Sequence, residues 1–240
     1  MLLEGVRIKK FEDVIKAWKE SLVHKVELGS LYSKSPVAHK WKCTYRSLVI
    51  RELTFWRVTD LIEQAYLLHK NRHALGVRIL LRSAIETSAV LIYLNRRMES
   101  VISVDQEFSE FFEFSDVSSQ LLLGSKNEST NLSAINILTV LKHCERKYAG
   151  ISKIYNDLCE SAHPNYEGIC AGYSEIDHEN CVTKFGVFWH EACHSQHDKL
   201  FFFIMKLYES EYNEFPKVFD SLENWIAEHD KTLELAQKST

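Results

Sequence analysis

Residues 151–172, ISKIYNDLCESAHPNYEGICAG, place an imidazole, a carboxylate and an amide on one side of a short helix. Lys153, Asn156, Glu160 and His163 share one side of the helical wheel, opposite Ile151, Ile154, Tyr155, Leu158 and Ala162, which form its packed face. Pro164 disfavours helical geometry at His163, so the helix ends there. The helix dipole favours a protonated imidazole at a C-terminus, a setting suited to an acid or to anion binding. The bland counterpart is a solvated polar face with His163 as a terminal hydrogen-bonding residue.

A second polar set lies in HALGVRILLRSAIETSAVLIYL, a segment apolar nearly all round and therefore a buried central helix. Arg78, Arg82 and Glu86 follow at intervals of four and fall on one stripe. Buried charges need partners or a cleft, since burying them alone costs several kcal/mol. The stripe is then either a structural Arg82–Glu86 pair with Arg78 near the surface, or the wall of a polar cleft.

Two patterns suggest metal. His190-Glu191-Ala192-Cys193-His194 is a literal HExxH, which on a helix sets two His on one face for zinc and a Glu to activate water. His197 shares that face, and Glu214 is a downstream candidate for a third ligand. The extended HExxHxxGxxH form is missing. The pairs Glu160–His163 and Glu191–His194 also fit the ExxH of a diiron bundle, with Glu86 and either Glu52 or Glu63 completing it. Both patterns are cheap in a chain with 11 His and abundant Glu. No cofactor is expected, with zinc as the alternative. Cys159 beside His163, or Cys193 beside His194 and His197, lacks any residue nearby in sequence that would activate a thiol. Gly168-x-x-x-Gly172 lacks the Lys-Ser/Thr of a phosphate loop.

The elements that position these residues read as an all-α, multi-helix bundle. With 8 Gly and 3 Pro in 240 residues, long uninterrupted helices are favoured over strands and turns. One domain spanning 1–240 is expected, with N-terminal helices over 8–70 as a spine, a core over 71–163, a small β-hairpin or extended insert at 168–188, and C-terminal helices over 189–237. Within that plan, helices are predicted over 8–28, ending at Gly29, over 37–70, over 134–149 with Ser133 as cap, over 151–162, over 189–209 and over 216–237. Leu31–Pro36 is a connector, and Ser103–Gln106 reads as a capping box before a helix closing at Gly124.

The apolar runs Ser88–Leu94 and Leu200–Met205 are too short to span a bilayer, so no membrane partner is expected. The opening residues meet their charges at once, and the six cysteines include no CxxC; reduced thiols in a cytoplasm are expected. Residues 1–100 hold 18 Lys/Arg against 10 Asp/Glu, a balance of +8, while the remainder balances at −12. The halves are expected to neutralise each other within the chain or across a homodimer. The basic half is also a surface for RNA or another anionic ligand.

The segments LRSAIET (81–87) and YNDLCESAHPNYEG (155–168) together resemble an uncharacterised group of bacterial helical proteins carrying an RSxxE helix and a later YxxLxExAHPNxxG motif. Residues 172–180 and 211–214 are similar to that group as well. More remotely the arrangement resembles HEPN domains, helical bundles of toxin and antiviral systems. Many of these are metal-independent ribonucleases with an Arg-x(4–6)-His motif in a dimer cleft. The resemblance implies His163 as general acid or base. The Arg just upstream is absent, the positions five to seven before His163 being Leu158, Asp157 and Asn156. Arg82 or Arg78 would have to stand in to stabilise phosphate charge, with Glu86 orienting Arg82 and Asn156 completing the cleft. The expected function is therefore RNA- or nucleotide-directed, a ribonuclease or a degenerate relative in a defence or toxin setting. The alternatives are a non-catalytic binding or assembly module and a metal-binding helical protein.

Overall fold

The computed structural model describes residues 11–103, 108–127 and 130–238, apart from the side chains of Ala192 and His194. It is an all-α bundle with a small antiparallel hairpin. Helix α5 (Ala74–Ser103) forms its axis, lying against α4 (Lys42–Lys70), α6 (Phe108–Leu123), α7 (Ile137–Cys144), α8 (Ile151–Ala162) and α9 (Trp189–Lys238). Its all-round apolar sequence explains this place: Leu81, Ala84, Ile85, Leu91, Ile92 and Leu94 are fully buried on several sides of the helix. At about 1.5 Å per residue, α4 and α5 each run roughly 45 Å. Three short helices precede or begin this frame: α1 (Phe11–Glu20), α2 (Leu28–Lys34) and α3 (Pro36–His39).

Several boundaries differ from the expectation. The first helix stops at Glu20, and the chain leaves it to meet α4, the Val23 carbonyl accepting from Trp56 Nε1 at 2.8 Å and the His24 ring lying 5.2 Å from that indole. Gly29 therefore lies inside α2 instead of ending a helix, and the connector at 31–36 is largely helical. The expected helix over 37–70 is broken at Lys40 and Trp41. His39 is buried against Glu223 at 2.6 Å, and the Trp41 Nε1–H donates to Asp230 at 2.9 Å, so both residues turn toward α9. Asn136, not Ser133, caps α7, its Oδ1 accepting from the Leu138 N–H at 3.0 Å. The capping box at 103–106 falls, beyond Ser103, outside the described residues.

The two expected C-terminal helices are one helix of 50 residues running through Pro216. Proline removes a helical hydrogen bond and typically costs about 3 kcal/mol in a helix interior. Here burial of Phe215, Val218, Phe219 and Leu222 holds the turns on either side. The orphaned carbonyl of Tyr212 accepts instead from Arg51 Nη2 at 3.4 Å.

The hairpin lies where expected, with β1 (Ser174–Asp177) paired to β2 (Val182–Phe185) in the register Ser174↔Phe185. A π-helical turn, Tyr166–Ala171, precedes it where an extended chain was expected from Gly168. Asn165 starts this turn, its Oδ1 accepting from Gly168 N–H at 3.0 Å. A Cβ on Gly168 would lie 1.9 Å from the His163 carbonyl oxygen, so only glycine allows this close return of the chain.

Part of the charge asymmetry is discharged inside the chain. Lys34 pairs with Asp220 and Glu223, Lys40 with Asp230 and Glu234, and Arg78 with Glu167, each joining the basic half to the acidic one. Among the described residues no helix is long and apolar enough to cross a membrane.

Candidate functional site

The stripe of α5 meets α8 running antiparallel to it, so Arg78 reaches the C-terminal end of α8 while Arg82 and Glu86 reach its beginning. Arg78, expected near the surface if the stripe were a plain Arg82–Glu86 pair, is instead only 4% exposed, because α8 and the turn after it close over it. Its Nε donates to Ser161 Oγ, Nη2 to the Asp157 carbonyl at 2.8 Å and to Glu167 Oε1 at 3.3 Å, and Nη1 to Cys193 Sγ at 3.7 Å. The Trp189 ring lies 5.9 Å from its guanidinium carbon. One side chain thus ties α5 to α8, to the π-helical turn and to the start of α9. Ser161 closes the set by donating to Glu167 Oε1 at 2.7 Å. Fixed-fork geometry and permanent charge make arginine the residue suited to several buried acceptors at once.

Two turns further along α5, the Tyr155 hydroxyl donates to Glu86 Oε1 at 3.0 Å and accepts from Arg82 Nη2 at 3.3 Å. Arg82 Nε also lies 3.3 Å from Glu86 Oε1, an ion pair of poor hydrogen-bond angle. Burial pushes the Tyr155 phenol up to about 12, with Arg82 pulling it back in part. At neutral pH it is a hydrogen-bond donor and no base.

Asn156 and His163 stand apart from this array. Both are exposed, and neither side chain makes a hydrogen bond or ion pair among the described residues. His163 serves through its backbone, as the extended residue that ends α8, with its N–H on the Cys159 carbonyl at 3.1 Å. Of the five residues expected to form a cleft, Arg78, Arg82 and Glu86 are therefore joined through α8, while Asn156 and His163 are not joined to them.

The metal candidates face different neighbours. Glu191 is exposed, 3.9 Å from Arg72. His197 is buried with its ring 5.5 Å from that of His69, which in turn faces Asp198 at 3.2 Å. His190 is half-buried, and the side chain of His194 lies outside the described residues. Among the described residues no three His, Cys, Asp or Glu side chains gather as metal ligands. Burial raises the Cys193 thiol, and Arg78 offsets this only partly. It is not an activated nucleophile.

No family model, curated protein or solved structure matches the chain.

Sequence reasoning missed a second buried network. Glu211 on α9 is 0% exposed, and its carboxylate accepts from Lys147 Nζ at 2.8 Å, from Tyr148 Oη at 2.5 Å and from Asn95 Nδ2 at 2.8 Å. Lys147 also pairs with Glu214 at 2.6 Å. Burial alone would lower the Lys147 amine, but the two carboxylates more than offset it and hold it charged. Residues 211–214, expected to matter through a resemblance and, at Glu214, as a metal ligand, are instead an anchor between α9, α5 and the turn after α7. The available signal was a glutamate on the apolar face of a long helix, one turn from Leu207, Tyr208 and Phe215.

Proposed function

We propose that this chain is a non-catalytic helical binding module, in which Arg78, Arg82 and Glu86 secure α8 and the arm that follows it. The observation that carries this reading is where the stripe spends its polar groups. All three side chains are engaged by Ser161, Glu167, Tyr155 and the Asp157 carbonyl, while His163 is exposed and apart. A ribonuclease centre needs an imidazole and a phosphate-binding cation within reach of the same atoms. The arm, residues 166–187, instead presents apolar side chains to water: Tyr166 is 77% exposed, Phe185 84% and Val187 68%. So many large apolar side chains exposed along one short arm support reading it as an interaction surface.

The test is RNA cleavage by the purified chain beside His163→Ala and Arg82→Ala. The reading predicts equal background in all three, together with a lower melting temperature for Arg82→Ala. Cleavage that disappears in either variant would overturn it.

A second reading, binding of RNA or another anionic ligand, rests on a different place. A cavity of about 410 Å³ is lined by Lys40, Lys42, Arg46, Ser115 and Glu234. Lys42 and Arg46 make no ion pair among the described residues, unlike Lys40. Binding of a labelled RNA oligonucleotide that weakens with salt, and is lost in Lys42→Glu with Arg46→Glu, would support it. Equal binding by that double variant would remove it.

A further inference from the structure

The two edges of the hairpin differ. Strand β1 leans on the π-helical turn, whereas all four residues of β2, Val182-Thr-Lys-Phe185, are exposed. A lone two-stranded hairpin is marginal in water, and an open strand edge is a template for another strand. The Gly186 N–H donates to the Tyr173 carbonyl at 3.1 Å, in register with the ladder. Antiparallel alternation then turns the N–H groups of Val182, Lys184 and Gly186 toward β1 and those of Thr183 and Phe185 outward. The free edge therefore offers two donors from β-favouring residues.

We infer that β2 pairs edge to edge with β2 of a second copy of this chain, extending two hairpins into one four-stranded antiparallel sheet. This deepens the binding-module reading and rests on its view of the arm as an interaction surface. Charge selects both the strand and the partner. Self-pairing through β1 would bring Glu175 and Asp177 near the same acids of the second copy. Strand β2 carries one charge, Lys184. Antiparallel pairing centred on Thr183 sets Lys184 opposite Val182 of the second copy. Each Lys184 then shares one cross-strand row with its own Glu175 and with Asp177 of the second copy. The other face carries Ile176 and Phe185 from both chains, so the exposed apolar side chains of two arms cover a common surface. The same patch meets itself across a two-fold axis, the closed arrangement usual for homodimers.

Light scattering behind size exclusion, on the full chain at tens of micromolar, tests this. The wild type is expected to be a dimer. Thr183→Pro removes an outward N–H and none of the hairpin's own, so it should be a monomer with an unchanged melting temperature. Lys184→Glu, which places a third acid in the shared row, should weaken the dimer at least tenfold. In the wild type, amide exchange at Thr183 and Phe185 should slow as protein concentration rises. A monomeric wild type, or a dimer that Thr183→Pro and Lys184→Glu both leave intact, overturns the inference. Neither result touches the RNA-cleavage comparison, which alone decides whether the module is catalytic.

Discussion

Arg51 supplies the hydrogen bond that Pro216 cannot. Its Nη2 donates at 3.4 Å to the Tyr212 carbonyl, the oxygen four residues before the proline, and its guanidinium carbon lies 3.6 Å from the Tyr212 ring centre. Glu52 accepts from the Tyr212 hydroxyl at 3.0 Å and completes the clasp between α4 and α9. Arg51→Met should therefore cost about 1–3 kcal/mol in urea unfolding, the range for losing a charged hydrogen bond to a partly buried group. In the Pro216→Ala background the backbone regains an N–H at that position to fill the role, and the cost should shrink. A double-mutant cycle with no coupling between the two sites would contradict this.

The anchor at Glu211 predicts an asymmetry. Lys147→Met leaves a fully buried carboxylate without its cation and should cost about 3–5 kcal/mol, the range for breaking a buried pair. Glu214→Gln, at the half-exposed end of the same cluster, should cost under about 1 kcal/mol. Equal losses in urea unfolding would show that burial at Glu211 is not what matters.

Glycine contacts fix the arm at its root. A Cβ on Gly172 would lie 2.0 Å from the Trp189 Nε1, so Gly172→Ala must displace a buried indole. Overpacking of this kind costs about 1–3 kcal/mol. Tryptophan emission should shift to the red as Trp189 gains water. Gly186→Ala, which meets the Phe188 ring edge at 2.9 Å, should be milder because that half-buried ring has room to move.

Alkaline pH should destabilise the fold, and the sign follows from the thiols. Burial pushes Cys43 and Cys144 up to about 12 from an ordinary 9.0; Arg46 pulls Cys43 back slightly and Glu211 adds to the rise at Cys144. The folded state holds these protons more tightly than the unfolded chain. Their contribution is complete below pH 9 and is lost as pH rises from 9 toward 12. Tyr155, raised by burial from 10.0 to about 12, adds loss between pH 10 and 12. Urea midpoints should be flat from about pH 7 to 8.5 and fall above about 9, with a shallower fall in Cys144→Ala. At about pH 8, below the range in which the buried thiols ionise, a thiol reagent should modify exposed Cys181 first and spare Cys43 and Cys144.

Most of the frame was legible in the sequence because it rests on apolar periodicity. The all-round apolar run at 74–94 marked α5 as the axis, and residues 151–162 form α8 with the expected bounds. What misled was local punctuation. Pro216 signalled a break that long-range contacts from Arg51 and the buried Phe215 override, and Gly29 signalled an end that α2 ignores. For the site, the stripe Arg78–Arg82–Glu86 was readable as charge in an apolar helix. Its partners were not, since Ser161, Glu167 and Cys193 lie 83 or more residues away and no local pattern pairs them with Arg78. Asn156 and His163 were expected on one helical face, but His163 is the extended residue that ends α8, and both look to water and not to α5.

The central claim is that Arg78 holds the arm in place. It is tested most directly by amide hydrogen exchange across residues 161–189 in the wild type and in Arg78→Met under native conditions. Loss of the bonds to Ser161, Asp157 and Glu167 should speed exchange in the π-helical turn and the hairpin by tenfold or more, while α4 and the middle of α5 keep their protection. Unchanged exchange in the arm, or uniform loss across the bundle, would contradict the account.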